Sequence, residues 1–210
     1  MTEAPRVLVT GFEPFPGAPV NPTEWLVAAL QKNTPVVPGM GAFRAEVLPV
    51  DYATVAARLS ELGREFQPDI AVHFGLAQSC TGFRLECVAR NVFIAPRPDN
   101  AGVVPAAGPI CPGPELLPSS LPLQEIYRAL LSAGLPAEWS DDAGGYLCNV
   151  VFTLSAAGGA AGFHPTVSGF VHVPLLSQDA FDERALFVGA TLILECCVSK
   201  YLSSIKNGPV

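Results

Sequence analysis

The sequence predicts an α/β fold: a three-layer α/β/α sandwich with a mostly parallel mixed sheet, in a single domain over residues 1–210. Three observations carry that expectation. Short apolar runs alternate with segments of helical period along the whole chain, the pattern of a sheet covered on both faces. Hydrophobic residues make up 50 % and charged residues 15 %, which is enough to fill one large core. No linker, internal repeat or low-complexity tract divides the 210 residues.

The elements follow in order. Arg6 to Thr10 reads as a first strand, and a Pro-rich loop, Gly11 to Val20, follows it. Asn21 is a good N-cap and Pro22 suits a first helical turn, so a helix should run from there to about Gln31. Phe43 to Val50 is a second strand. Asp51 should cap the next helix, whose apolar positions Val55, Leu59, Leu62 and Phe66 have helical spacing. Pro68 ends it, and Ile70 to Leu76 is a continuous apolar run of the kind buried in a parallel sheet. Phe83 to Ile94 reads as one long strand, and Ala95 to Leu121 as a Pro/Gly-rich excursion without helical period. A helix over Pro122 to Ser132 and a strand over Ala137 to Ser140 come next. The turn Gly144-Gly145 then leads into a helix from about Tyr146 to Ala156. Val167 to Val173 is a strand stopped by Pro174, and Phe181 to Lys200 a terminal amphipathic helix.

Composition excludes several functions. With 12 Lys+Arg against 19 Asp+Glu the net charge is −7, which repels nucleic acid and anionic membrane surfaces alike. The longest apolar stretch, Ala185 to Val198, is interrupted by Gly189, Thr191 and Glu195 and falls short of the roughly 18 residues a spanning helix needs. No basic segment followed by an apolar one opens the chain, so a soluble, intracellular protein is expected. The six cysteines should then be reduced, and none forms a C-x-x-C pair or zinc-ligand spacing. No metal or other cofactor is expected. The 19 glycines and 21 prolines imply long structured loops, where sites are usually built.

Phosphate-loop, dinucleotide and serine-elbow motifs are absent, so the chemistry must rest on other residues. Cys148 falls in the first turn of a helix, where unpaired N–H groups and the macrodipole favour a thiolate. The alternative for it is a small core residue. His172 lies at the carboxyl end of its strand, the edge of a parallel sheet where sites gather; the alternative is a core histidine bonded to a carbonyl. His73 is mid-strand and reads as structural, His164 as solvated. Glu86 shares a strand face with Val88 and Arg90, and a covered carboxylate needs a partner. That partner is an imidazole it orients, or else Arg84 or Arg90. Phe12 and Phe15 either line a pocket or form a satellite core.

Several segments together resemble the pyroglutamyl peptidase I (pyrrolidone carboxyl peptidase) family. They are Val9-Thr-Gly-Phe-Glu-Pro-Phe15 with Asn21-Pro-Thr23, Gly75-Leu-Ala77 with Leu85-Glu86, and Pro98-Asp-Asn100. Ala143-Gly-Gly-Tyr-Leu-Cys-Asn149 and Gly169-Phe-Val-His-Val-Pro174 complete the set, in order over nearly the whole chain. The resemblance implies a metal-free, cytoplasmic, commonly tetrameric cysteine peptidase that removes N-terminal pyroglutamate from peptides. By it, Cys148 is the nucleophile, His172 the general base and acid, and Glu86 the orienter of the imidazole. Phe12, Phe15, Asn21, Tyr146 and Leu147 fall where the family's pyroglutamyl pocket lies.

Three departures stand out. Ser79-Cys80 replaces a usual Gly-Arg pair, and Pro16 a usual Gly. The arginine expected to help hold the oxyanion is displaced by one position, to Arg97. The rival readings are a catalytically impaired homologue that still binds pyroglutamyl groups, and a nucleoside-phosphorylase-like enzyme on a similar fold.

Overall fold

The computed structural model describes residues 4–94, 97–177 and 181–207; Ala95 and Pro96, which open the expected excursion, lie outside them. The elements are β1 (Val7–Phe12), α1 (Pro22–Lys32), β2 (Phe43–Leu48), α2 (Val55–Phe66), β3 (Ile70–Leu76), β4 (Phe83–Glu86) and β5 (Val88–Arg90). Then come β6 (Leu116–Pro118), α3 (Leu123–Ser132), β7 (Ala137–Ser140), α4 (Leu147–Ala157), β8 (Val167–Val173) and α5 (Glu183–Asn207). The main sheet has the order β2-β1-β3-β8-β4-β7. The pairs β2/β1, β1/β3, β3/β8 and β4/β7 are parallel, and β4 runs antiparallel to β8. This is the mixed, mostly parallel sheet the sequence predicts.

The period of two along each strand divides the core between the two faces. Val9, Val72, Phe74 and Val171 face α1, α3 and α5, meeting Leu26, Leu30, Ile126, Leu186 and Ile193. Leu8, Ala71 and Phe170 face α2 and α4, meeting Leu59, Leu62, Val151 and Phe152. Strands β1, β3 and β8 are buried at every position, which is why they read as mostly apolar runs, interrupted only by Thr10, His73, Ser168 and His172, rather than as alternating ones.

Three expectations are corrected. The segment Phe83 to Ile94 is not one strand: it breaks at Cys87, and β5 leaves the main sheet to pair with β6, a strand within the excursion. The break is built by side chains. Asn149 of α4 accepts from the Arg90 N–H (3.0 Å) and donates to its carbonyl (2.7 Å), clamping β5 onto the helix. Glu86 therefore shares no sheet with Val88 and Arg90. The N-cap of α2 is Thr54, not Asp51: the Asp51 side chain accepts from the N–H groups of Ala53 and Thr54 and its carbonyl from that of Val55, ordering the turn that leads into the helix.

The third correction is the terminal helix, which runs on to Asn207. By length and composition alone Glu183–Lys206 is long and apolar enough to cross a membrane. Its stripe of Leu186, Ala190, Ile193, Leu194 and Cys197 is instead buried in the domain core.

Candidate active site

The site lies where the carboxyl ends of β1, β3 and β8 meet the amino end of α4. Asn21 caps α1 as predicted, its Oδ1 accepting from the Thr23 N–H at 3.1 Å. The preceding loop is closed by reciprocal Phe15–Ala18 backbone bonds around Pro16-Gly17, with Gly17 at φ +93°. Pro followed by a glycine of positive φ is the pattern of a type II turn, so Pro16 fits the loop it occupies.

Cys148 is the second residue of α4, half-buried. Tyr146 caps the helix without a side-chain bond, so the N–H groups of the first turn have no intrahelical partner beside the thiol. The sulfur rests over β3. A Cβ at Gly75 would stand 2.8 Å from Cys148 Sγ and 2.7 Å from the Phe170 ring, so only glycine lets the thiol sit there.

His172 is 5 % exposed and Glu86 fully buried. His172 Nδ1 donates to Glu86 Oε1 at 2.7 Å; a carboxylate can only accept, so the proton sits on Nδ1. The other ring nitrogen is left for Cys148. Burial alone lowers the imidazole pKa, but attraction to Cys148, a hydrogen bond with it and the bond to Glu86 outweigh burial and raise it to about 9. Arg84, the alternative partner for Glu86, pairs with Glu138 instead, at 2.6 Å.

The structure brings all five expected pocket residues together. Phe12, Phe15, Asn21, Tyr146 and Leu147 line one small pocket of about 10 Å³ beside Cys148, joined by Val50 and Leu76, which the sequence did not signal. Phe15 faces Tyr146 at 5.5 Å between ring centres, while Phe12 packs on Phe170. Asn21 also donates one amide hydrogen to the Glu13 carbonyl (3.1 Å), and its second has no partner among the described residues. An open cleft of about 410 Å³ lies next door, lined by Cys148, His172, Arg84 and Arg97 among others, and Phe15 borders both spaces. Arg97 reaches this cleft despite its displacement, lying over the Tyr146 ring at 4.9 Å.

The Pro98-Asp-Asn100 segment works at a distance from the thiol. Asp99 accepts from the N–H groups of Tyr52, Ala101 and Val103, and Asn100 donates to Glu13 Oε1 (2.8 Å) and to the Pro14 carbonyl (3.0 Å). Burial on its own raises the Asp99 pKa, but the backbone N–H bonds outweigh it and hold the carboxyl below its usual value. These bonds pin the excursion to the two loops that carry the pocket. The departures at Ser79-Cys80 have local roles: Cys80 closes a turn onto the Ala77 carbonyl, and Ser79 Oγ accepts from Arg84 Nη1 at 3.3 Å.

Elsewhere, His73 is buried between hydroxyls and His164 is exposed, as the sequence suggested. Among the described residues no group of three or more His, Cys, Asp or Glu could hold a metal ion.

A thiol at the start of α4, an imidazole at the carboxyl end of β8 and a carboxylate on the antiparallel neighbour β4, beside an apolar pocket, make an arrangement that can perform acyl transfer. Residues 5–206 match the profile of the pyroglutamyl peptidase family, and the chain belongs to that family. The chain is 39 % identical to a pyrrolidone-carboxylate peptidase of Pyrococcus furiosus over 85 % of each chain. It is 34 % identical to one of Thermococcus onnurineus over 96 % of this chain and 98 % of that one. A mutant pyrrolidone carboxyl peptidase from Pyrococcus furiosus superposes with a TM-score of 0.85 at 33 % identity, covering 93 % of this chain and 99 % of the other. The enzyme of that name from Thermus thermophilus gives 0.80 at 34 %, covering 90 % and 99 %. These matches lend no support to the nucleoside-phosphorylase or impaired-homologue readings.

Proposed function

We propose that this protein is a cysteine peptidase that releases N-terminal pyroglutamate from peptides through a thioester acyl-enzyme. The observation that carries the reading is the His172–Glu86 hydrogen bond in a cleft that Cys148 also lines, directly beside the pocket of Phe12, Phe15 and Asn21.

The Cys148 thiolate attacks the pyroglutamyl carbonyl, and the oxyanion that forms meets the unpaired N–H groups at the start of α4. His172, protonated and held by Glu86, gives its proton to the departing amine as the C–N bond breaks. Water, deprotonated by the now neutral imidazole, then attacks the thioester; the C–S bond breaks and the thiolate and protonated His172 are restored. Arg97 sits on the cleft wall, where its charge can add to the oxyanion field. The pyroglutamyl ring is a neutral lactam, which suits walls of aromatic and aliphatic side chains with a single amide donor from Asn21. Because the pocket holds only about 10 Å³, ring entry requires its walls to part, and Phe15, Leu76 and Tyr146 are the side chains beside Cys148 that border both pocket and cleft. A reducing cytoplasmic setting keeps the thiol available, and the family resemblance adds assembly as a homotetramer.

The test is release of a chromogenic amine from a pyroglutamyl amide. Cys148→Ala is expected to lower kcat by about a thousandfold or more. Activity unchanged in that variant overturns the nucleophile assignment.

A further inference from the structure

The strand order gives the cleft a direction. Phe12 and Val50, on the pocket wall, belong to the β1–β2 side of the sheet. Cys148 Sγ rests over Gly75 of β3. Gly75 is in register with His172 of β8, and His172 is in register with Arg84 of β4. Residues in register on neighbouring strands point to the same face, about 4.8 Å apart per strand. The row across the sheet therefore reads pocket, nucleophile, imidazole, Arg84. If the acyl group occupies the pocket and His172 protonates the amine, the departing peptide continues over β4, and Arg84 is the first charged group it meets.

Arg84 is aimed for this task. Its Nε is held by Glu138 (2.6 Å) and its Nη1 by Ser79 (3.3 Å), using two of the five N–H donors a guanidinium carries. Arg97 adds a second guanidinium on the wall. Opposing them among the described lining residues is Asp142, whose Oδ1 is occupied by the Gly144 N–H at 3.0 Å. Arg84 and Arg97 thus bring two guanidinium groups to the cleft wall of a protein of net charge −7, Arg84 with its Nη donors turned from its partner Glu138, which holds only Nε.

The geometry points to Arg84 as a specificity residue that recognises a carboxylate in the departing peptide, either an acidic side chain after pyroglutamate or the free terminus of a short substrate. This rests on the peptidase reading above. A solvent-accessible charge pair of this kind sets specificity more than overall rate, and salt weakens it.

The experiment compares kcat/KM for pyroglutamyl-glutamate amide, pyroglutamyl-alanine with a free carboxylate, pyroglutamyl-alanine amide and pyroglutamyl-lysine amide. At low salt at least one carboxylate-bearing substrate should exceed the neutral amide by about three- to tenfold, mainly through KM, with the lysine substrate slowest. The first two substrates separate a side-chain source from a terminal one. Arg84→Gln should bring the carboxylate-to-neutral ratio within about twofold, and Arg84→Lys should keep part of it. Equal rates across the series in the unaltered protein, or a levelling produced by Arg97→Gln but not by Arg84→Gln, overturn the assignment. Failure to cleave any of the four overturns the peptidase reading instead.

Discussion

Two histidines on adjacent strands, His73 on β3 and His172 on β8, are buried to nearly the same degree and carry opposite charge preferences. His73 lies between two hydroxyls, Thr10 Oγ1 on Nδ1 at 2.7 Å and Ser155 Oγ on Nε2 at 2.9 Å. A neutral imidazole satisfies both, donating from one nitrogen and accepting at the other, and burial drives its pKa down to about 3. His172 stands between Glu86 and Cys148, and its pKa rises to about 9. Phe170 separates the rings, with centroids 6.4 Å from His73 and 4.8 Å from His172. Burial by itself disfavours the imidazolium at both positions, so the partner's chemistry decides which ring carries a proton.

The largest effects that test this contrast come from exchanging the rings. His172→Gln is expected to lower kcat by about a thousandfold with the fold retained. His73→Gln should change kcat by less than about threefold yet cost about 2–4 kcal/mol in urea unfolding, because Thr10 and Ser155 lose a fitted buried partner. Equal loss of activity in the two variants would erase the distinction.

Glu86→Gln comes next. It keeps the size of the side chain but removes the charge that helps hold the His172 proton, so kcat should fall about a hundredfold or more. The alkaline limb of the pH–rate profile, set by loss of that proton, should move to lower pH in the same variant. An unmoved limb would mean that Cys148 alone sets the imidazole.

The smallest effect is in stability against pH. The raised His172 pKa contributes stability fully present below the unfolded value of about 6.5, lost as pH rises through about 9. The depressed His73 pKa contributes stability fully present above about 6.5, lost as pH falls toward 3. Thermal melts across pH should therefore show His172→Gln flattening the alkaline slope and His73→Gln the acid one.

How far the site was legible follows from the range of each interaction. Cys148 and His172 could be picked out because a helix start after Gly144-Gly145 and a strand end before Pro174 are written in adjacent residues. The partner of Glu86 could not be chosen from the residues alone, since Arg84 and Arg90 are near in sequence while His172 is 86 residues away. The break at Cys87 was invisible for a similar reason. The apolar alternation runs on past it, and the clamp that turns β5 away is Asn149, which is 59 residues from Arg90. Val50 and Leu76 joined the pocket only because β1, β2 and β3 end side by side.

What the sequence determined by itself was local: the buried strands, the Asn21-Pro22 helix start, the thiol in the first turn of α4. Each depends on neighbours within about one helical turn or one strand, so the chain encodes it wherever the segment is placed. Only the tertiary structure decided which histidine faces a carboxylate, that Gly75 leaves room for the Cys148 sulfur, and that Arg84 lies beyond His172 in one row. Those outcomes depend on strand order and register, which are set by packing between segments far apart in the chain.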